Sequence, residues 1–284
     1  MTSWYNETLH SEWGQRFSID KILFEDKTEH FDLIIFENKQ FGRVMALDGA
    51  IQTTEADEFV YHEMLTHVPL FAHGNAKKVL IVGGGDGGIL REVCKHPVDS
   101  VTMVEIDPTV IKLSQEFFPK HSNGSFNDPR LNLIIQDAAV FMAEDKDLYD
   151  VIIVDSTDPE GPGAVLFSEE FYANCSKRLA ADGILVNQNG VPFLQANELT
   201  TTYKRLSGIF KDACFYTAAV PTYAGGLMTL GWASKNPAVR NVPLATLKQR
   251  FASSQIQTNY YTPACHQASF ALPAFIHRLM NKSS

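Results

Sequence analysis

The sequence contains only four cysteines among its 284 residues, and no two of them are close enough to form a CxxC pair. This usage predicts reduced, mostly buried thiols in a cytoplasmic protein. The first twenty residues lack the basic and apolar segments of a signal peptide, and no apolar run approaches the roughly 18 residues of a membrane-spanning helix. We therefore expect no membrane association.

Positive charge is also scarce: the sequence has 24 lysines and arginines but 33 aspartates and glutamates, which gives a net charge of −9. Nucleic-acid binding needs clustered basic residues that contact phosphates, so this balance argues against a nucleic-acid partner. The same charge is compatible with a cationic ligand. The 45% of hydrophobic residues suffice for the core of one large domain, alone or with a smaller one.

The N-terminal part of the chain has the pattern of a small antiparallel sheet. Short runs typical of β-strands, broken by turn signals, are RFSIDKILF, FDLIIFE, GRVMAL and AIQTT. The Asp48-Gly49 pair between the last two runs is a strong signal for a tight hairpin. We predict an N-terminal β-domain over residues 1–56, followed by a helix over EADEFVYHEMLTHVPLFAH.

The pattern of residues 57–284 is that of an α/β fold. Continuous apolar runs alternate with helical stretches; these runs are VLIV, VTMVE, LNLIIQ, DVIIVD and GILVNQ. Apolar strands that alternate with helices indicate a parallel, doubly wound sheet that is covered on both faces. Later runs around CFYTAAV and GLMTLGWA complete this sheet.

Acidic side chains occur where four successive strands of this sheet end. Asp86 follows the first strand, Glu105 ends the second, Asp137 follows the third and Asp155 ends the fourth. Ligands of a doubly wound sheet bind beyond the carboxyl ends of its strands. The sequence therefore predicts a rim of carboxylates around the ligand, with Gln188 at the end of the fifth strand.

The glycine loop after the first strand, GGGDGG, is open to two interpretations. Gly83, Gly85 and Gly88 satisfy G-x-G-x-x-G, and Glu105 follows 17 residues after Gly88, which permits a nicotinamide dehydrogenase. However, Asp86 would repel a pyrophosphate at the helix N-terminus. S-adenosylmethionine or its decarboxylated form, which has a ribose and a sulfonium but no phosphate, removes this conflict. As a purely structural alternative, the glycines permit a tight turn, although five in six positions exceed what a turn requires.

The segment DVIIVDSTDPEGPGAVLF contains a second pair of acids. Asp155 ends a buried strand and Asp158 follows at i+3, so the two carboxylates repel each other unless a cation lies between them. The prolines and glycines of the PEGPG stretch then form a loop that is able to close over a site. The structural alternative is a helix cap followed by a flexible loop.

Aromatic residues and histidines supply further candidates. His62 and His67 resemble a zinc-binding HExxH helix, but they are five residues apart and face different sides of the helix, so we predict no metal site. Tyr61 and His62 are candidates to line the cleft. Tyr223, in VPTYAGG, either packs against an alkyl amine through a cation–π contact or fills the core.

Five motifs occur in a fixed order along the chain: VMALDGAIQTTEADEFVYHEMLTHVPL, VLIVGGGDGGILREV, VEIDP, VDSTDPEGP and VPTYAGG. In this combination the sequence closely resembles the spermidine synthases, also called putrescine aminopropyltransferases. The similarity extends over nearly the whole chain, to the FALP segment. It implies a Rossmann-like domain of the methyltransferase type after a small β-domain, and assembly into homodimers or homotetramers.

The resemblance also implies a reaction, in which decarboxylated S-adenosylmethionine donates an aminopropyl group to putrescine without a prosthetic group. Asp155 is the implied proton acceptor. The residues implied to hold the nucleoside, with Glu105 on the ribose and Asp137-Ala138 on the adenine, are Gly83, Gly85, Asp86, Glu105, Asp137, Ala138 and Pro162. Those implied to hold the amine are Tyr61, His62, Asp86, Asp155, Asp158, Gln188 and Tyr223.

Two positions depart from the family pattern, and other functions stay open. Phe31 stands where the family usually has a glutamine, and Ala138 replaces the usual glycine, which predicts a negative φ there. Another acceptor amine, such as agmatine, cadaverine or a longer polyamine, is an alternative, as is a small-molecule methyltransferase. A sensor that binds polyamine or nucleoside without catalysis is a third.

Overall fold

The computed structural model describes residues 3–27, 32–144, 146–157 and 161–282, and for residues 161 and 162 the backbone alone. Its N-terminal part holds two antiparallel sheets. A short strand that the sequence pattern did not predict, β1 (Ser3–Asn6), pairs with β2 (Arg16–Ile19). The strands of the second sheet, which pair in sequence order, are β3 (Lys21–Lys27), β4 (Asp32–Asn38), β5 (Gly42–Leu47) and β6 (Ala50–Thr54).

The predicted hairpin at Asp48-Gly49 is confirmed. Leu47 pairs with Ala50, and both turn residues have a positive φ, 50° for Asp48 and 82° for Gly49. Two positive φ values are typical of the turn that matches the twist of the adjoining strands. The Asp48 carboxylate also accepts a hydrogen bond from the Asp32 backbone N–H at 2.9 Å, which ties the turn to β4.

The central sheet has seven strands in the order β12-β13-β11-β10-β7-β8-β9. Five are parallel to their neighbours in this group: β7 (Lys78–Gly83), β8 (Ser100–Glu105), β9 (Leu131–Ile135), β10 (Tyr149–Asp155) and β11 (Leu179–Gln188). The predicted parallel arrangement is thus confirmed. β13 (Met228–Ser234) runs antiparallel to both β11 and β12 (Asp212–Ala218), because a connection too short for a crossover joins β12 to β13.

Helices cover both faces of this sheet. They are α1 (Glu58–His73), α2 (Gly88–Cys94), α3 (Pro108–Phe117), α4 (Pro119–Ser122), α5 (Ala138–Glu144), α6 (Glu169–Arg178), α7 (Ala196–Ile209), α8 (Leu244–Ser254), α9 (Pro263–Ser269) and α10 (Ala274–Asn281). Alternate residues of β7 enter different apolar clusters: Ile81 packs with α1 and α2, whereas Leu80 packs with α5 and α6. This division is expected of a doubly wound sheet, whose strands are apolar on both faces.

Helix α1 leads from the N-terminal strands into the interior. All its residues from Val60 to Ala72 are buried, as expected of a helix that packs against α2, α8 and the sheet. Its first turn therefore places side chains at the carboxyl ends of the central strands. The division of the chain into residues 1–56 and 57–284 stays a prediction. None of the helices that the described residues form combines the length and apolarity that crossing a bilayer requires.

Asp57, the residue before α1, ties β6 to the connection between β12 and β13. Its buried carboxylate accepts hydrogen bonds from the Thr54 hydroxyl at 2.5 Å, and from the Thr222 backbone N–H and hydroxyl at 2.8 and 2.6 Å. We expect Asp57→Asn to lower the free energy of unfolding by about 2–3 kcal/mol, because an amide N–H2 would face a donor and a charge-assisted bond would be lost. Urea unfolding followed by circular dichroism measures this, with the exposed Asp26→Asn as the control. Equal stability of the two variants would contradict this role.

Candidate active site

Asp155 stands at the centre of the rim that the ends of the parallel strands form. It ends β10 and pairs with Gly83 at the end of β7, and the Gly84 N–H donates to the Asp155 carbonyl at 3.1 Å. Gly83 has a φ of +78°, and a Cβ there would lie 2.0 Å from the Asp155 carbonyl oxygen. The glycine at position 83 is therefore required for the close approach of two strands as well as for the turn.

Asp86 occupies the position at which dinucleotide-binding folds hold a phosphate. One carboxylate oxygen accepts a hydrogen bond from the Gly88 N–H, the first residue of α2, at 2.8 Å. The other oxygen lies 3.1 Å from His62 Nε2. A Cβ at Gly88 would lie 2.2 Å from the His62 ring, so this glycine makes room for the histidine. The N-terminal end of α2 already has an anion of its own, and this disfavours the dehydrogenase interpretation.

His62 lies between two carboxylates. Its Nδ1 is 2.5 Å from Glu58 Oε2, one helical turn earlier on α1, and its Nε2 faces Asp86. Burial disfavours the charged ring, but Asp86 and Glu58 outweigh this and raise the pKa of His62 well above its usual range. The imidazolium in turn keeps the pKa of Asp86 below its usual range, although burial acts in the opposite direction. His62 and Asp86 therefore form a buried ion pair at neutral pH.

Asp155 has a different environment from Asp86. The Tyr61 hydroxyl donates to Asp155 Oδ1 at 2.5 Å. Loss of solvation and the nearby Asp86 charge raise the pKa of Asp155 to about 7, against the opposing effects of His62 and Tyr61. Two carboxylates with pKa values moved in opposite directions are typical of acid–base sites.

One ligand atom each from His62, Asp86 and Asp155 lie within 4.8 Å of one another, a spacing that suits a metal ion. The donor set does not fit one, because an imidazolium with a carboxylate at each nitrogen has no lone pair to offer. His67 turns away from this group and contacts Glu92 at 2.9 Å and His96 at 2.9 Å. The two histidines of the apparent zinc motif thus face different partners, as their spacing predicted.

Glu105, at the end of β8, faces the glycine loop. Its Oε1 accepts hydrogen bonds from the N–H groups of Ile106 and Asp107 at 2.8 and 3.1 Å. Its Oε2 is 2.9 Å from where a Cβ of Gly85 would stand. Burial raises the pKa of Glu105. The carboxylate is thus held in one orientation against the loop.

Asp137 and Ala138 begin α5. The Asp137 carboxylate accepts from the Ala139 N–H at 2.7 Å, so it caps the helix. Among the described residues other than glycine, only Asp48, Asn123 and Gln255 have a positive φ. The negative φ predicted for Ala138 is therefore confirmed.

The aromatic candidates lie together. The Tyr223 ring packs edge-on against Tyr61 with centroids 5.9 Å apart, and its hydroxyl donates to the Gln52 carbonyl at 2.6 Å. These two rings and His62 border a narrow cavity of about 10 Å³. Gln188 is buried at the end of β11 and accepts from the Gly190 N–H at 2.9 Å.

Three candidates from the sequence cannot be placed. Phe31 and Asp158 lie outside the described residues, and the side chain of Pro162 is not described. The predicted repulsion between Asp155 and Asp158 therefore stays a prediction. The structure instead brings Asp155 close to Asp86.

Several site residues were missed by the sequence analysis. Glu58 and Arg91 lie behind His62, and His121 of α4 lies beside it with ring centroids 6.0 Å apart. The i, i+4 spacing of Glu58 and His62 was the available signal, since it places both side chains on one helix face. For Arg91 and His121 the sequence offered no comparable signal.

Comparison with known families agrees with this geometry. The family model described as spermine/spermidine synthase domain matches residues 58–243. The chain belongs to the spermine/spermidine synthase family. A second model, described as spermidine synthase tetramerisation domain, matches residues 3–55. The resemblance drawn from the five motifs is thus confirmed.

Relatives of this spermine/spermidine synthase family member match it over nearly its whole length. A polyamine aminopropyltransferase of Pseudomonas syringae pv. tomato is 57% identical over 281 residues, which cover 99% of this chain and 98% of the relative. Polyamine aminopropyltransferase 1 of Pseudomonas aeruginosa is 58% identical over 279 residues, or 98% of each chain.

Solved structures of the family are similar to the whole chain. A spermidine synthase in complex with the transition state analogue AdoDATO has a TM-score of 0.93 and 37% identity, covering 99% of this chain and 95% of that one. The Thermotoga maritima spermidine synthase has a TM-score of 0.91 and 37% identity, covering 99% and 94%. The Rossmann-like, methyltransferase-type α/β class with small N-terminal antiparallel sheets is thereby confirmed.

The raised pKa of Asp155 has a consequence for stability. In the unfolded chain this carboxyl ionises near pH 4, whereas in the folded protein it ionises near pH 7, so its charge destabilises the fold increasingly between these values and fully above pH 7. We expect Asp155→Asn, which can still accept from Tyr61, to stabilise the protein at pH 8 by roughly 1–4 kcal/mol and by less at pH 5. Urea unfolding at both pH values, with the exposed Asp99→Asn as the control, measures the difference. A gain that does not change with pH would contradict the raised pKa.

Proposed function

We propose that this protein transfers the aminopropyl group of decarboxylated S-adenosylmethionine to putrescine, giving spermidine and methylthioadenosine. The observation that carries the proposal is the pair of Asp86 and Asp155 on adjacent strand ends, one held ionised by His62 and the other with a pKa of about 7. Such a pair suits a cationic ligand and a proton that must be removed. The names of the curated relatives support the same chemistry.

The nucleoside binds on the β8 side of the rim in this proposal. Glu105 accepts hydrogen bonds from the ribose hydroxyls, and the loop that contains Gly83 and Gly85 allows the nucleoside to approach the backbone. Asp137 and Ala138 contact the adenine. The AdoDATO complex of a family structure supports a ligand of this kind.

The amine binds on the α1 side. Asp86 attracts the ammonium groups, with His62 and Tyr61 beside it, and Gln188 lines the remaining path. The edge-on rings of Tyr61 and Tyr223 give the cavity an aromatic wall against which an alkyl ammonium packs favourably. This arrangement supports a diamine of putrescine's class.

The reaction is a direct displacement. The lone pair of the neutral amine forms a bond to the carbon next to the sulfonium, and the carbon–sulfur bond breaks, leaving its electron pair on a neutral thioether. The proton of the new ammonium passes to Asp155 and then to solvent. Because no covalent intermediate forms, positioning and charge supply the catalysis.

The main difficulty of this mechanism is the transfer of a proton from an alkylammonium to a carboxylate, and the raised pKa of Asp155 reduces it. The pKa of an alkylammonium is near 10.4 and that of an ordinary aspartate near 3.9, a difference of roughly 6.5 units, or about 9 kcal/mol. With the pKa of Asp155 at about 7, the gap falls to about 3.4 units, or about 5 kcal/mol. Two effects lower the pKa of the amine, namely its desolvation and the positive charge of the adjacent sulfonium. Both reduce the pKa difference between the amine and Asp155 again.

Assembly and location belong to the same proposal. We place residues 1–56 in a β-domain that joins copies of the chain into a homo-oligomer, supported by the tetramerisation domain that matches residues 3–55. The four cysteines are free, which supports a cytoplasmic enzyme.

We expect Asp155→Asn to lower kcat by more than about a hundredfold, because it removes the general base, while the affinity for the nucleoside stays close to wild type. For the wild type, kcat/KM should fall as the pH drops below about 7, since protonated Asp155 cannot accept the proton. The assay incubates the protein with decarboxylated S-adenosylmethionine and putrescine and quantifies methylthioadenosine.

The exposed Asp99→Asn is the matched control, and agmatine, cadaverine and spermidine replace putrescine in parallel reactions. Near-normal turnover of Asp155→Asn would show that another group is the base. Faster turnover with a different amine would move the assignment to that acceptor. No methylthioadenosine with any amine would overturn the proposal.

A further inference from the structure

Behind His62, a row of largely buried charges leads away from the site. Arg91 on α2 donates from Nη1 to Glu58 Oε1 at 3.0 Å and from Nη2 to Glu58 Oε2 at 2.8 Å. Its Nε donates to Glu92 Oε1 at 2.7 Å. The side chains of Glu58 and Arg91 are only 12% and 13% exposed. Along this row positive and negative groups alternate, from Arg91 through Glu58 and His62 to Asp86.

Arg91 is fixed by more than its two glutamates. Its Nη1 also donates to the carbonyl oxygens of Lys120 and His121 on α4, at 3.0 and 2.8 Å. The guanidinium therefore links α1, α2 and α4. A planar group with this many partners holds the Glu58 carboxylate in one orientation, which a flexible lysine ammonium would not do.

We propose that Glu58 and Arg91 are positioning residues of the aminopropyl-transfer site, which hold His62 in one orientation and in its charged form. Because Glu58 accepts from Nδ1, the opposite nitrogen Nε2 is directed at Asp86. The charged ring then keeps Asp86 ionised next to the amine. This inference rests on the proposed function for its catalytic consequence, but the state of His62 can be measured without it.

The charged groups around His62 favour the imidazolium. Titratable or charged groups face the ring from each element packed against it. They are Glu58 and Tyr61 from α1, Asp86 from the loop after β7, Arg91 from α2, His121 from α4 and Asp155 from β10. Burial lowers the pKa of His121, whose Nε2 lies 2.9 Å from the Thr53 hydroxyl, so this ring is neutral at pH 7. Glu58 and Asp86 are the two anions in direct contact with the His62 ring, and Arg91 is itself neutralised by Glu58 and Glu92.

The first measurement is a nitrogen-15 NMR titration of His62 in the full-length protein. Glu58→Gln removes one of the two anions, and we expect the pKa of His62 to fall by at least about one unit. Arg91→Met removes a positive charge instead, so it should leave the pKa of His62 raised. A lowered pKa of His62 in Glu58→Gln, together with a pKa that stays raised in Arg91→Met, separates an electrostatic role from general disruption of the α1–α2 contact.

The second measurement is aminopropyl transfer to putrescine. We expect Glu58→Gln to lower kcat about ten- to a hundredfold, as for outer partners that orient metal-bound histidines, with little change in the KM for the nucleoside. The acid limb of kcat/KM should move to higher pH, because the His62 charge that lowers the pKa of Asp155 is lost. Glu58→Asp keeps the charge and should recover part of the loss.

Glu63→Gln is the matched control, because Glu63 is a buried glutamate on the same helix. Its carboxylate accepts from the backbone N–H groups of Asn259, Tyr260 and Tyr261 and does not join the row. We expect it to leave the pKa of His62 and the pH profile unchanged. If Glu58→Gln does not fold, Glu58→Asp and Arg91→Met still carry the test, since both should keep the raised pKa of His62 while lowering kcat.

The outcomes distinguish the two proposals. A His62 that titrates in Glu58→Gln as it does in the wild type would overturn the positioning role, whatever the activity. Wild-type kcat in both Glu58→Gln and Arg91→Met would overturn it as well. A wild-type protein that makes no methylthioadenosine would overturn the proposed function, while the NMR titration would still decide how Glu58 acts on His62.

Discussion

The site depends on the contact between His62 and its two carboxylates. Burying a single charge is costly, and burying a row of charges is possible only where each has an opposite neighbour. The imidazolium is that neighbour for both Glu58 and Asp86, at 2.5 and 3.1 Å. With Asp86 neutralised in this way, Asp155 can approach it. Burial and the nearby Asp86 charge raise the pKa of Asp155, although the Tyr61 hydroxyl that donates to it acts in the opposite direction. The His62 charge, by contrast, lowers the pKa of Asp86.

The fold brings these groups together from distant parts of the chain. β7 and β10 are neighbours in the central sheet although other strands separate them in sequence, so Asp86 and Asp155 come to adjacent strand ends. Gly83 allows the two strands to approach, and Gly88 allows the His62 ring to lie on the start of α2. The interior position of α1 supplies Tyr61 and His62. Substitution of either glycine would therefore disturb contacts of the site as well as the local turn.

The sequence was sufficient to predict the sheet and most candidate side chains, because apolar runs mark buried strands and ligands bind where such strands end. It did not predict β1, whose SWYN is short and has three of its four residues exposed. The sequence analysis did not single out Glu58, because acids are common in the first turn of a helix. Its bonds to Arg91 depend on how α1 packs on α2, which periodicity does not specify. The proximity of Asp86 to Asp155 likewise depended on strand order.

The pattern G-x-G-x-x-G describes a backbone and does not by itself define a ligand. Glycines at these positions let a strand turn sharply into a helix whose N-terminal end attracts negative charge. In a dinucleotide-binding protein the ligand brings that charge, whereas here Asp86 supplies it and accepts a hydrogen bond from the Gly88 N–H. An internal anion at this position requires a cation nearby, and His62 provides it from a helix that precedes the loop in sequence. The sign of the charge that the site accepts in a ligand is therefore determined by two residues. They are Asp86, the non-glycine residue of the loop, and His62, which balances its charge.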